Sequence, residues 1–255
     1  MSASRFMYFA GERLSIAELS AASLDGHLVG LGEGFMPADA IETIAMRAAS
    51  LRPLLGDTMA ATLLSAAWIW GALDRPPARH SAHRAVEHRL HHVLSRRLVL
   101  HDVHLAVEGR MLLGGVWVST PLHTLIALAR AATQGPTRTN GAVPAGATER
   151  STTGSSTTER SAAAVAGAHI ASLAAARALV ELGLADPDEA VAWLDARTRM
   201  PGKHAARALL DALRAHAPAA RRTERTERPG GADRPGRPGR IGQPRARREA
   251  DTSSA

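Results

Sequence analysis

Apolar positions recur at helical spacing in some stretches of the chain and run together or alternate in others. Ser15-Ile16-Ala17-Glu18 opens the first stretch. The Ser15 hydroxyl can accept from the Glu18 amide while the Glu18 carboxylate reaches back, a capping box that predicts a short helix to about Ser23. Asp25-Gly26 then turns the chain. Residues 27–31 and 35–36 read as a small hairpin across Gly32-Glu33-Gly34. Ile44, Ala48, Leu51 and Leu55 predict a helix over 42–55, with Pro53 late enough to end it early. Asp57 or Thr58 is the expected cap of a further helix to about Trp70. In it Leu63, Ala67 and Trp70 mark one face, Leu64 and Trp68 the next. Apolar residues on two faces predict deep burial, and Gly71 closes the helix.

Residues 79–119 change character. Stretches 98–100, 103–107, 111–113 and 116–118 look like strands, and Gly109 and Gly114-Gly115 like turns. Thr120-Pro121 is a good N-cap and first-turn pair for a helix with Leu122, Leu125, Ile126 and Ala129 inward. Residues 133–161 are Gly, Ser, Thr and Pro with almost no large apolar side chain, and read as a disordered low-complexity insertion. Three helices are expected after it: 162–182, 187–197 capped by Asp186, and 203–215. The expected fold class is α+β: a central antiparallel β-sheet packed by helices, C-terminal helices, and a disordered basic tail. The core spans 41–132, its C-terminal helical part 162–217, and the Arg/Pro/Gly-rich tail 218–255.

Composition narrows the function classes. Aromatics are 3% of the chain, so Leu, Val, Ile and Ala must build the core. There is no cysteine, which excludes disulfides, thiolate metal sites and a cysteine nucleophile. No apolar run approaches the roughly 18 residues of a spanning helix, and the first residues lack a signal-peptide pattern. A cytoplasmic protein with no membrane partner is expected. The net charge of +7 is uneven: residues 218–255 hold ten Arg against five acids, or +5, leaving +2 for the rest.

No catalytic constellation, cofactor motif or metal set emerges. Eight of twelve histidines lie between His80 and His123. The pairs His80/His83, His88/His91 and His101/His104 are each three apart, which in a strand puts the rings on opposite faces. A polar, partly protonatable surface is the expected reading. Gly30-x-Gly32-x-Gly34 lacks the following helix of a dinucleotide loop and is better explained by the hairpin. Pro201-Gly202-Lys203-His204 ends like a phosphate loop but lacks the upstream Gly and the hydroxyl residue after Lys203, the chain's single lysine. No Gly-x-Ser-x-Gly elbow or metal-nuclease pattern exists. One stretch is densely basic: Arg75, Arg79, Arg84, Arg89, Arg96 and Arg97, with five histidines among them and only Asp74 and Glu87 as neighbouring acids. It suits a phosphate backbone or an acidic partner surface. A solvated edge strand and loop explains it as well.

Six segments taken in order carry a resemblance: Leu14-Ser-x-Ala-Glu-Leu19, Leu24-Asp-Gly26, Leu31-Gly-Glu-Gly-Phe35, Arg47-Ala-Ala-Ser50, Ser65-Ala-Ala-Trp-Ile-Trp-Gly71 and Val118-Ser-Thr-Pro-Leu-His-Thr-Leu125. Together they resemble the AbiEi antitoxin family of type IV toxin–antitoxin systems in its actinobacterial form. The resemblance implies a winged helix-turn-helix that binds operon-promoter DNA, followed by an α/β domain that antagonises a nucleotidyltransferase-like toxin. It implies a transcriptional regulator that works by binding, with no turnover. Residues 1–40 then read as a degenerate winged-helix remnant, since only the last helix and the wing fit before Asp39. From Leu14 to Ile41 the charged residues are Glu18, Asp25, Glu33 and Asp39, all acidic, which opposes phosphate contact there. DNA or partner contact is therefore expected at Arg79, Arg84, Arg89, Arg96 and Arg97, helped by the tail. A protein-interaction module of the same ancestry that has lost sequence-specific DNA binding is the alternative. His123 stands where the family often has Arg.

Overall fold

The computed structural model describes residues 6–90, 95–133 and 154–216, with the backbone alone for 154–165. The expected tail, most of the expected insertion, and His91 and His92 lie outside the described residues.

The first helix, α1 (Ile16–Leu24), starts as its sequence dictates. The Glu18 amide donates to Ser15 Oγ at 3.3 Å, and the Ser15 amide donates to Glu18 Oε2 at 2.7 Å. The bond from the Ser15 amide, and after it the one that Ser15 Oγ donates to Glu18 Oε2 at 2.8 Å, hold the Glu18 carboxyl below the usual carboxylate range. Leu19 is the one residue that α1 buries. The hairpin follows as β1 (Leu28–Leu31) and β2 (Gly34–Pro37), antiparallel with Leu31 opposite Gly34. Tyr8 exchanges both backbone hydrogen bonds with Phe35, so the chain before α1 lies along β2. Gly32 has φ +58, and a Cβ there would fall 2.2 Å from Ser50 Oγ. The glycines thus let the turn press against the helix behind it, with no phosphate loop involved.

The helix expected over 42–55 is two helices, α2 (Ile44–Ser50) and α3 (Arg52–Leu55), broken at Leu51. Pro53, in the first turn of α3, has no N–H to continue the ladder and its ring excludes an unbroken helix. A larger correction concerns the next element. Residues Met59–Ala61 are strand β3, and α4 (Leu63–Ile69) begins well after the expected cap at Asp57 or Thr58. Met59-Ala60-Ala61 pairs on both sides in the sheet, and that pairing outweighs alanine's helical preference. The turn from β3 into α4 places Leu63 at φ +51, a left-handed conformation that side chains disfavour.

The remaining strands are β4 (His80–Arg84), β5 (Leu98–His104), β6 (Arg110–Leu113) and β7 (Val116–Ser119). Strand β4, with the sequence His-Ser-Ala-His-Arg, is not among the expected strands, because it carries no apolar run. The stretches 98–100 and 103–107 resolve into one strand and a 3-10 turn at Val107–Gly109. The sheet order is β5-β4-β3-β7-β6. It is mixed where an antiparallel sheet was expected: β3–β4 and β6–β7 are antiparallel, β3–β7 and β4–β5 parallel. The chain is α+β, as its segment pattern predicts.

Four helices complete the described residues: α5 (Pro121–Thr133), α6 (Gly154–Glu181), α7 (Pro187–Asp195) and α8 (Lys203–His216). Helix α6 begins eight residues before the expected Ala162, inside the stretch read as an insertion. One apolar core joins the helices to the sheet through Leu51, Leu55, Trp68, Ile69, Val116, Val118, Leu125, Leu128, Leu179, Leu194 and Leu210. Segments that carry the resemblance interlock here. Arg47 donates to the carbonyls of Trp68 (2.6 Å) and Leu73 (3.1 Å) and lies over the Trp68 ring at 5.5 Å. The Trp70 indole donates to Ser119 O at 2.9 Å. Among the described residues no helix is long and apolar enough to cross a membrane.

Candidate functional site

The described part of the basic stretch comprises β4, residues 85–90 after it, and residues 95–97 leading into β5. Strand β5 is an edge of the sheet. Because β4 and β5 are parallel, with His80 opposite Leu98 and Arg84 opposite His104, the five candidate arginines separate to two ends of the pair. The ends are roughly 13 Å apart at about 3.3 Å per residue. Arg79, Arg96 and Arg97 share one end. Arg84 and Arg89 share the other.

At the second end Arg84 is interior, which corrects its reading as a contact residue. It is 9% exposed, and its Nη1 donates to the carbonyls of Val86 (3.2 Å), Glu87 (2.6 Å) and His88 (2.9 Å). Its Nε lies 2.7 Å from Asp102 Oδ1. The guanidinium thus ties the loop after β4 to β5, a role that needs five donors in one plane. Arg89 is 75% exposed and sits 3.5 Å from the other oxygen of Asp102. Removing Arg84 takes the partner of Asp102 Oδ1 and of three carbonyls, leaving Asp102 with the exposed Arg89. Arg84→Ala is expected to cost about 2–3 kcal/mol of stability, read as a lower denaturant midpoint. A melting curve like that of the unaltered protein would show that the loop carries itself.

At the first end the arginines are exposed. Arg79 Nη2 donates to Leu98 O at 3.4 Å, and the amide of His80 donates to Arg97 O at 2.6 Å, so the two chains run side by side. Arg96 is exposed and has no ion pair among the described residues. Arg97 Nη2 lies 2.8 Å from Glu33 Oε1, in the β1–β2 turn, and is 54% exposed. Of the three, Arg97 is the one that pairs with Glu33. Sequence reasoning missed both acids that matter, Glu33 and Asp102. Neither neighbours the arginines closely in sequence, and only the hairpin's docking and the β5 register bring them in.

His88 and His104 are exposed, as expected of a polar surface, whereas His80 is buried and His83, His101 and His123 are only partly exposed. His80 is fully buried beside Trp68, with ring centroids 6.1 Å apart. Its Nδ1 lies 3.2 Å from Ser65 Oγ, which also accepts from the Ser81 amide, and its Nε2 lies 3.8 Å from Glu33 Oε1. Burial, and after it the Arg97 charge, pushes His80 down to about 4. His83 and His101 are paired across β4 and β5, rings edge to face at 5.7 Å. Burial first, then His101 and Arg130, pushes His83 down to about 3, and burial lowers His101. His123 accepts or donates at 2.8 Å to Thr120 Oγ1, packs edge-on to Trp193 at 5.2 Å and is lowered by burial first and by Arg197 next. Among the described residues no group of three or more His, Asp or Glu could hold a metal ion.

The two phosphate-loop look-alikes have structural uses. Lys203 Nζ donates to Arg197 O at 2.9 Å and Asp195 O at 3.3 Å, so it caps the end of α7. Ser65, His80 and Glu33 form a line of polar contacts, and Ser65 is 0% exposed. No family model, curated protein or solved structure matches this chain.

Proposed function

We propose that this chain is an AbiEi-like antitoxin or transcriptional regulator that acts by binding, without turnover, through the Arg79–Arg96–Arg97 corner of its sheet. The observation that supports the reading most is this corner: three exposed arginines beside the paired starts of β4 and β5, of which Arg97 meets the Glu33 carboxylate. Exposed guanidinium groups beside the start of two paired strands suit the oxygens of a phosphate backbone. The segments of the resemblance supply the scaffold. Arg47 bonds to Trp68, and Trp70 to Ser119. Operon-promoter DNA and a nucleotidyltransferase-like toxin are the partners this reading names.

A specific observation favours the second reading, an interaction module that no longer reads DNA sequence. Helix α1, the counterpart of a recognition helix, has an acidic residue in its first turn and no basic residue in its last. The test is a titration of DNA from directly upstream of the coding sequence, and of a scrambled duplex, at two salt concentrations. It should be run on the intact protein and on a chain ending at Ala217. Salt-sensitive binding with little preference between the duplexes is expected, weakened by truncation. Binding to neither duplex, with retention of a nucleotidyltransferase encoded beside it, would decide for the second reading.

A further inference from the structure

We propose that Glu33 occupies, in the free protein, the place of a backbone phosphate on the Arg79–Arg96–Arg97 corner, so that a phosphodiester ligand and the β1–β2 turn compete for Arg97. The inference rests on the reading above and adds its regulation. Among the described residues, Glu33 is the acid that pairs with Arg97 from another element. Its side chain is 14% exposed while that of Arg97 is 54% exposed, so the guanidinium keeps an open side toward solvent. The contact is close but not aligned: Glu33 Oε1 has no hydrogen bond among the described residues, and neither does His80 Nε2, which faces it at 3.8 Å. With Glu33 Oε1 covered, Arg97 exposed and no aligned hydrogen bond between them, the pair is open to exchange from the Arg97 side. A phosphate offers the same guanidinium two aligned acceptors. Exchange would leave Glu33 half-covered beside a neutral histidine, so the turn must loosen as ligand binds. Binding at the strand ends is thereby coupled to the hairpin that follows α1.

The test uses the full chain and a short random-sequence duplex at low salt. Glu33→Gln, which keeps the shape and removes the charge, is expected to tighten binding roughly threefold to tenfold, the range of a partly screened ion pair. In an Arg97→Ala background the same change should bring no gain, the signature of a direct pair in a double-mutant cycle. Glu33→Asp, with the carboxylate drawn back, should give a smaller gain in the same direction if Glu33→Gln does not fold. Backbone hydrogen exchange over 28–37 should quicken when the duplex is added. Unchanged affinity in Glu33→Gln, or an equal gain without Arg97, would overturn the competition while leaving the phosphodiester reading in place. No binding by either protein would remove that reading and the competition with it.

Discussion

Replacing Trp68 by alanine is expected to cost about 3–5 kcal/mol of stability, the range for deleting a large buried aromatic. Trp68 is fully buried, and its ring meets Arg47 on one side and His80 on another. Its loss opens a cavity and removes the surface on which the Arg47 guanidinium rests. Trp70→Ala should cost a similar amount by a different route. Trp70 is 8% exposed and spans from the end of α4 to β7, where its indole N–H satisfies the Ser119 carbonyl. Trp70→Phe separates the two contributions: most packing survives, and the loss should fall to about 1–2 kcal/mol. Urea denaturation of the three variants measures this. A harmless Trp68→Ala would mean that α4 is not the centre of the core.

Acidification should destabilise the protein through its buried histidines. His80 has its folded pKa depressed to about 4 and His83 to about 3, both below the ordinary 6.5. The unfolded chain therefore binds protons that the folded one refuses. Their contribution is fully present above about pH 6.5 and is lost as pH falls, flattening for His80 near 4 and for His83 near 3. Each such group gives a slope of about 1.4 kcal/mol per pH unit in its window, so His80 alone accounts for on the order of 3 kcal/mol. Carboxylates also respond to acid, so the informative quantity is the gap between the protein and His80→Gln. That gap should narrow steadily between about pH 6.5 and about pH 4. A gap constant across the range would mean that His80 is solvated or already paired when charged.

Local signals in the sequence were read well where local physics decides. The capping box at Ser15, the hairpin around Gly32-Glu33-Gly34, the pair Thr120-Pro121 and the Asp186 cap all define elements within a residue or two of those observed. Strands β3 and β4 were illegible for the opposite reason. Met59-Ala60-Ala61 and His80-Ser81-Ala82-His83-Arg84 carry no periodicity of their own and become strands only by pairing with each other and with β5 and β7. The absence of β4 from the expected strands explains how its side chains, and the basic stripe, were expected to lie. Without β4, His80 and His83 look like surface groups, and Arg84 looks like part of a continuous basic stripe. With it, His80 and Arg84 turn inward, and the stripe divides into a structural end and an open end. The acids were hidden too, since Glu33 and Asp102 reach the arginines only through tertiary docking.

The open end carries the functional claim, and the salt dependence of binding measures it most directly. Titrations of one duplex DNA over a range of salt concentrations should compare the full chain with its Arg79/Arg96/Arg97 triple alanine variant. Each phosphate that an arginine neutralises contributes roughly 0.9 to the slope of log K against log salt. The triple variant should bind more weakly and lose roughly 2–3 from that slope, while its melting temperature stays close to that of the full chain. An unchanged slope in a folded triple variant would contradict the account and move any DNA contact off the sheet.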